Sequence, residues 1–599
     1  LRIYSTNIIS ELDSLRIKDS EKAFYKHFKK KLKGIGITKI VPVKGINIDL
    51  MYIERNNILF IKFMDTNEDI YSILEEELLE VMEEEYNSLV SEIKLFNLDI
   101  KYNLIYIMPY VDVNNNEEFD NFIKNHIIDR NGYKQLIQNP DTINKYLKGE
   151  NEDVLLNLFR FYICPEYHVI KKEENNRLIN KDFKRISFFK EDYKYTALFL
   201  SSFQLKKINS IKYGNTLFLG PAGSGKTTLL TSRAIKLSRL YPKDKFLFIT
   251  FNKQLMNDIK NQIDILGKNL KNLEIYNFHG FIFKLAKQFD LVIDYTKLKE
   301  NFSKYFENVF LQVKNVLKNT NIYKGIFIDE CENFNKEEIK FLESILYKSK
   351  NIFNISADKR KDIKNNLKSF IGPWEILDFN DIIKFNHNYR QTQKMTLFIN
   401  NFTQNTLEYI KNFDVNFPKD YYLKTKSFRK EGEKVEIITV SDIEEKIKSI
   451  IWEIEYLVKQ KGLKYSDIVI IYPYNKRKLK NGNMIYFQYI LRKALEDRNI
   501  PYIYSNDELI NLSNKMGVTI SNIYSINNLE YRAVIFCQIE MLYSHNLNEK
   551  NTNYEIGNFI KNLNIIYIAL TRAIDYLIII TTFKEENSDI IKILNNSLE

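Results

Sequence analysis

Residues Gly220 to Thr228 read GPAGSGKTT, between the apolar run TLFL and the helix-like stretch TTLLTSRAIKLSRL. The first eight fit the G-x-x-x-x-G-K-[ST] pattern of a phosphate-binding loop in the strand, loop and helix context that it requires. Gly220, Pro221, Ala222, Gly223, Ser224 and Gly225 offer closely spaced backbone amides, and the glycines let them curl around phosphate oxygens. The helix that follows aims its amino end at the same charge. The pattern assigns Lys226 to the β and γ phosphates and the Thr227 hydroxyl to Mg²⁺, with Thr228 beside them, so ATP and Mg²⁺ are the expected ligands. A glycine-rich turn with an incidental lysine is the alternative, and the flanking strand and helix weigh against it.

Such a site needs a second, acidic element. The run GIFIDE, Gly325 to Glu330, ends an apolar strand in two carboxylates. In a doubly wound sheet, residues at that end project toward the phosphate loop. Asp329 is the expected Mg²⁺ carboxylate and Glu330 the expected general base.

Around this pair, apolar runs alternate with helix-length stretches. TLFLG, KFLFIT, GIFIDE and IFNIS form one set, and KVEIITV, DIVIIYP, GVTISNI, RAVIFC and YLIIITT a second. Both read as parallel sheets covered by helices. Toward the N-terminus, GITKIVPV, NIDLMYI and NILFIKFM read as consecutive strands, Ile73 to Ile93 as a helix, and NLIYIMPY as a strand. The expected organisation is a mixed α/β region over 1–110, a largely helical connection over 111–195, a first α/β ATPase domain over 196–384, and a second over 385–599 with a small insertion.

Bulk properties are consistent with a globular chain of several units. Of its 599 residues, 44% are apolar and 28% charged, which excludes a collagen-like or disordered class. The net charge of +11 suits a polyanionic partner, although acidic runs such as Glu75 to Glu85 dilute it. Cys164, Cys331 and Cys537 lie far apart and match no metal-ligand spacing. No apolar run is long enough to cross a bilayer, and no secretion signal is evident, so a cytoplasmic protein without a membrane partner is expected.

Further motifs resemble those of superfamily 1 helicases of the UvrD/Rep-like group over residues 200 to 580. Gln204 in SSFQLKKI resembles the family's adenine-recognising glutamine. Phe246 to Leu255, FLFITFNKQL, resembles motif Ia, and Asn277 to Phe281, NFHGF, resembles the element that follows it. Asn386 to Thr392, NHNYRQT, resembles motif IV and places its arginine at Arg390. Tyr567 to Leu577, YIALTRAIDYL, resembles motif VI and places a second phosphate-contacting arginine at Arg572. The resemblance implies two tandem RecA-like P-loop domains with ATP in the cleft between them. Arg390 and Arg572 would neutralise charge on the transferring phosphoryl group. It also implies single-stranded or partly duplex DNA, held by Phe251, Asn252, Lys253, His279, Phe281 and His387, with Asn388 nearby. Rings can stack on bases and lysines can meet phosphates without reading sequence.

Two motifs depart from the family pattern. Ile355 to Ile363, ISADKRKDI, keeps Asp358 as a nucleotide contact but has Lys361 where a γ-phosphate-sensing glutamine is expected. Asn522 to Glu530, NIYSINNLE, keeps Glu530 as a ribose or Mg²⁺-network contact but lacks the family's histidine, lysine and glycine. The hydrolytic set is therefore retained while residues that couple it to strand separation have changed. The implied function is an ATP-dependent translocase or helicase on single-stranded DNA, moving 3′ to 5′. The alternative is an ATP-regulated DNA- or partner-binding switch. A motor-nuclease is a third reading, because Asn47 to Met64 resembles the core of nuclease-related NERD domains. There Asp49 fits the first acidic position, but Lys62 and Met64 stand where glutamate and lysine are expected. A catalytically degenerate domain that docks DNA or a protein partner follows.

Overall fold

The computed structural model describes residues 2–3, 18–28, 30–43, 46–96, 98–114, 117–164, 168–172, 185–190, 193–200, 204, 207–208, 213–241, 243–265, 270–294, 296, 300–318, 320–361, 372–413, 423–474, 477–478, 484–485, 487–504, 516–526, 529–542, 552–582 and 588–598. Most of SSFQLKKI, and the Asn527–Asn528 pair of NIYSINNLE, lie outside them.

The N-terminal sheet has six strands. Ile35–Val43, Ile46–Glu54 and Asn57–Phe63 run antiparallel, and Arg2–Ile3 lies at one edge. Arg55 and Asn56 adopt positive φ between the paired Glu54 and Asn57. That is the conformation a two-residue hairpin turn requires. The helix Glu68–Lys94, capped by the Asn67 side chain on the Ile70 amide, then crosses to Tyr102–Ile107, which pairs parallel to Asn57–Phe63. Asn57–Phe63 is buried on both faces, with Ile58 and Phe60 in one core and Leu59, Ile61 and Phe63 in another. This is why NILFIKF is a continuous apolar run rather than an alternating one.

The stretch 111–195, expected to be a largely helical connection, combines helices, among them the 3-10 helix Pro140–Tyr146, with several strands. Asp120–His126, Arg130–Gln138 and Asp153–Ile163 are helices, but Ile127–Ile128 adds a sixth strand to the N-terminal sheet. His168–Lys172, Arg185–Lys190 and Tyr193–Phe199 form a separate three-stranded antiparallel sheet. RISFFK and YKYTALF are rich in aromatic and β-branched residues, which favour a pleated, half-buried surface over a helix.

Two six-stranded sheets follow, each wholly parallel. The first has the spatial order Leu273–Asn277, Phe246–Thr250, Gly325–Ile328, Ile352–Ala357, Gly214–Leu219, Asp381–Lys384. The second runs Glu436–Thr439, Ala573–Thr581, Tyr531–Cys537, Ile468–Tyr472, Val518–Asn522, Tyr502–Tyr504. Helices cover both faces, giving each sheet two cores. These are the layers expected of RecA-like P-loop proteins. The helix Gln393–Lys411 follows the last strand of the first sheet but contributes Met395, Phe398 and Phe402 to a core of the second.

The N-terminal sheet shares a core with the first parallel sheet: Ile37 and Ile40 belong to the same apolar cluster as Leu229, Leu230 and Ala234 of the helix Lys226–Leu240. Lys236 on that helix is buried and donates to the Thr38 carbonyl at 3.0 Å.

Candidate functional site

The glycine-rich loop joins strand Gly214–Leu219 to helix Lys226–Leu240. Gly223 and Gly225 have φ of 77° and 82°, values at which a side chain is strained. A Cβ on Gly223 would also lie 2.7 Å from Asn388 Oδ1, and one on Gly225 2.7 Å from Gln204 Nε2, so those side-chain ends would have to shift. Gln204 is thus brought to the loop, and the Tyr389 ring lies on the same side of Gly225. No side chain caps the helix, so its first amides are available to the loop. Ser224 Oγ donates to the Pro221 carbonyl at 2.8 Å, and Lys226 Nζ donates to the carbonyls of Gly220 and Pro221 at 2.6 and 2.9 Å. Burial, with a smaller push from Lys361, lowers the Lys226 pKa from its usual value, while Asp358, Glu332 and Asp329 oppose the shift. Thr227 and Thr228 occupy the first turn of the helix, half-buried.

Asp329 and Glu330 follow the strand Gly325–Ile328, between its neighbours Phe246–Thr250 and Ile352–Ala357. Asp329 is 1% exposed. Its Oδ1 accepts from the Ser356 hydroxyl and from the Glu330 amide at 3.1 Å. Its Oδ2 is buried with no hydrogen-bond partner among the described residues. Burial and then the Glu330 charge raise the Asp329 pKa, while the Ser356 and Thr227 hydroxyls and the Lys226 charge hold it down. A buried carboxylate oxygen left over beside a threonine hydroxyl suits a hard divalent cation completed by water and phosphate oxygens. Among the described residues no three His, Cys, Asp or Glu side chains group to hold a metal by themselves.

Glu330 has left-handed backbone angles, φ 55° and ψ 52°, a strained state for a non-glycine residue. Its amide is held by Asp329 Oδ1 and, at 3.2 Å, by Ser356 Oγ. Its carboxylate pairs with Lys361 Nζ at 3.5 Å. Asp358, at the end of Ile352–Ala357, accepts from Tyr567 Oη at 3.3 Å, and the Ala222 amide points at that same hydroxyl at 3.4 Å.

Arg390 and Arg572 come from different elements and lie close together. The Arg390 amide is held by Asn388 Oδ1 at 2.9 Å, its guanidinium pairs with Glu530, and it donates to the Thr571 carbonyl at 3.1 Å. Arg572 follows Thr571, the C-cap of the helix Asn553–Leu570, and is 2% exposed. Burial and the nearby Arg390 lower its pKa to about 10, opposed by Glu330 and Glu530. It remains charged at neutral pH, facing two carboxylates and a second guanidinium.

The expected DNA contacts divide. Lys253 is exposed at the start of helix Lys253–Ile265. Phe251 is half-buried, edge-on to His279 at 4.9 Å and to Phe334 at 5.6 Å. Asn252 Oδ1 accepts from the Leu255 amide, stabilising the helix start. His387 stacks on Phe428 at 4.7 Å, and Tyr389 stacks on Phe428 at 5.0 Å. Phe281 is fully buried against Tyr276 and Tyr323 and presents no surface to a strand; it sits at the core-facing spacing Phe278, Phe281, Ile282, Leu285. Asn388, 3% exposed, uses its amide to build the Arg390 turn.

Four site residues escaped the sequence reading: Ser356, Arg360, Tyr389 and Tyr567. All lie inside quoted motifs, but only the packing shows what each touches.

With parallel sheets and this loop, the chain falls in the class of RecA-like P-loop proteins. Residues 200–498 match the family model of the UvrD/REP helicase N-terminal domain. Similar solved structures include the arterivirus nonstructural protein 10 helicase, at 11% identity and TM-score 0.30, covering 68% of this chain and 69% of that one. Another is the C-terminal domain of a possible DNA helicase from Lactobacillus plantarum WCFS1, at 16% identity and TM-score 0.23, covering 35% and 96%. A comparison with curated proteins found no match. No helix among the described residues is long and apolar enough to cross a membrane.

Proposed function

We propose that the chain is an ATP-dependent translocase or helicase that acts on single-stranded DNA in the 3′ to 5′ direction, with two RecA-like domains in tandem. The observation that carries this reading is convergence. Lys226, Asp329 and Glu330 come from the first parallel sheet, and Arg572, within electrostatic reach of Glu330 and Arg390, comes from the second.

In this reading the amides of Gly220 to Gly225 and Lys226 hold the phosphates, while Gln204 and the Tyr389 ring flank the base. Thr227 and Asp329 would hold Mg²⁺, which when bound would supply positive charge against the phosphates. Glu330 orients a water and accepts its proton as that water attacks the γ-phosphorus. Arg390 and Arg572 stabilise the charge that gathers on the equatorial and leaving oxygens. Asp358 and Glu530 act one step out, on Tyr567 and Arg390. Lys253, Asn252, Phe251, His279 and His387 are the proposed strand contacts, and the N-terminal region is a docking surface for DNA or a protein partner.

The Lys361–Glu330 ion pair favours a second reading, an ATP-regulated switch. A general base engaged by a lysine turns over slowly unless something draws the lysine away. ATP hydrolysis with and without single-stranded DNA, beside a Lys226→Ala protein and a strand-displacement reaction, separates the two. Turnover that DNA stimulates supports the motor; nucleotide binding with no stimulated turnover supports the switch and rules out the motor.

A further inference from the structure

The short turn Lys359–Lys361 leaves the first sheet at the end of Ile352–Ala357, and its neighbours reach in two directions. On one side, Lys361 Nζ meets Glu330 at 3.5 Å. On the other, Arg360 is 3% exposed and enters the packing of the second sheet. Its guanidinium lies 3.6 Å above the Tyr567 ring on helix Asn553–Leu570 and donates to the Thr403 hydroxyl on helix Gln393–Lys411. The insertion is reciprocal, because the Tyr567 hydroxyl reaches back to Asp358 and to the Ala222 amide of the glycine-rich loop. Asp358 in turn holds the turn together, accepting from the Arg360 amide at 3.2 Å through its side chain and from the Lys361 amide at 3.1 Å through its carbonyl.

A buried guanidinium is costly to move away from an aromatic face and a hydroxyl that replace its water. The turn is therefore fastened to the helix that carries Thr571 and leads into Arg572. Any shift of that helix relative to the first sheet must move the turn, and Lys361 is its last residue. We propose that Arg360 is a positioning residue: seated on Tyr567 and Thr403, it makes the turn Lys359–Lys361 follow the second sheet, and so sets whether Lys361 engages Glu330. The mechanism rests on the ATPase reading above and adds how DNA-driven movement between the sheets reaches the base. Arg360 itself contacts Tyr567 and Thr403, and it is Lys361 that meets Glu330.

The test compares wild type, Arg360→Met, Arg360→Lys, Tyr567→Leu and the Arg360→Met/Tyr567→Leu double variant, all as full chains. The readouts are kcat and KM for ATP with and without a saturating single-stranded oligonucleotide, and the affinity for a fluorescent ATP analogue. Arg360→Met is expected to cut the factor by which DNA stimulates kcat about tenfold, a size typical of coupling between sites. Analogue affinity should change less than about threefold, and Arg360→Lys should fall between. Because the two residues act as one unit, the double variant should lose no more stimulation than the worse single one. Stimulation retained in Arg360→Met, or losses that add in the double variant, would overturn the relay while leaving the motor reading intact. A wild type that DNA does not stimulate would overturn both. If Arg360→Met fails to fold, Arg360→Lys, which keeps the charge but not the planar stacking, decides by the same ratio.

Discussion

Asp49 and Asp329 are both buried carboxylates carried by sheet strands or their ends, both have a lysine nearby, and both stand where a metal-assisted reaction would want an acid. Their surroundings differ. Asp49 Oδ2 accepts from Lys18 Nζ at 3.0 Å and from the Phe63 amide at 2.9 Å, and the same ammonium also reaches the Phe63 carbonyl. One strand away, Lys62 pairs with Glu85, which Tyr106 also engages at 2.8 Å. The N-terminal site supplies its own cations. Asp329 is arranged the other way, with Oδ1 held by Ser356 and the Glu330 amide and Oδ2 left over beside Thr227. Other buried atoms, among them Ser20 Oγ, Asn103 Oδ1 and Tyr133 Oη of the N-terminal region, also lack a partner among the described residues, so the contrast lies between the two carboxylates and not between the two sheets. The two carboxylates therefore differ in one respect: Asp49 is met by Lys18 and the Phe63 amide, whereas Asp329 keeps one oxygen without a partner among the described residues.

The largest effects should fall on the unsatisfied side. Lys226→Ala and Asp329→Asn are each expected to lower kcat for ATP hydrolysis by about 100-fold or more, read as phosphate release. Asp329→Asn should also weaken the dependence of turnover on Mg²⁺ concentration. Wild-type turnover in Asp329→Asn would mean that its free oxygen is incidental, and the contrast with Asp49 would collapse.

Next come the two arginines. Arg572→Ala and Arg390→Ala should each reduce kcat about 100-fold, with nucleotide affinity altered only a few-fold, because their contribution grows as charge develops in the transition state. Equal losses in affinity and kcat would show instead that they bind the ground state. Of the two, Arg390→Ala should be the less clean, since it strands Glu530 as well.

On the satisfied side, Asp49→Asn should leave ATP hydrolysis unchanged. It should lower stability by about 1–2 kcal/mol, the cost of weakening a partly buried charge-assisted pair whose lysine remains partly solvated. Mn²⁺ should shift the melting temperature of neither wild type nor variant through this site. A Mn²⁺-induced shift that Asp49→Asn abolishes, or cleavage of a phosphodiester bond that depends on Asp49, would place real metal chemistry in the N-terminal sheet.

The contrast also explains what could be read without coordinates. Strands buried on both faces, such as KFLFIT and RAVIFC, announce themselves as unbroken apolar runs. The edge strands Leu273–Asn277, Asp381–Lys384 and Tyr502–Tyr504 are short, and LEIYN and DIIK mix polar with apolar residues, so periodicity does not distinguish them from loops. The glycine-rich loop and its acidic partner were legible because their chemistry demands fixed local spacing. Phe281 occupies a motif position, but it belongs to the buried helical face of Phe278, Ile282 and Leu285, a pattern its own neighbours spell out. Lys18 could not have been foreseen at all: it meets Asp49 across 31 positions of chain, and only the fold brings them together.

The smallest expected effect probes a group between the two extremes. Glu332 is buried and accepts from the Asp358 amide at 3.2 Å. Burial drives its pKa up to about 8; Glu330 and Asp358 add to the rise, and Lys361 and Lys226 oppose it. The folded state thus binds a proton that the unfolded chain releases near the ordinary carboxylate value of 4.5. The stabilising contribution is complete below that value and is lost as pH climbs toward 8 and beyond. Glu332→Gln, which keeps the acceptor and cannot ionise, should flatten this loss. Its melting temperature should gain on that of wild type by about 2 °C or more between pH 5 and pH 8.5. If the two proteins instead stay parallel across that range, Glu332 is already ionised in the fold, compensated by Lys361. The lysine would then be shared between two carboxylates, and its hold on Glu330 would be weaker than a single ion pair implies.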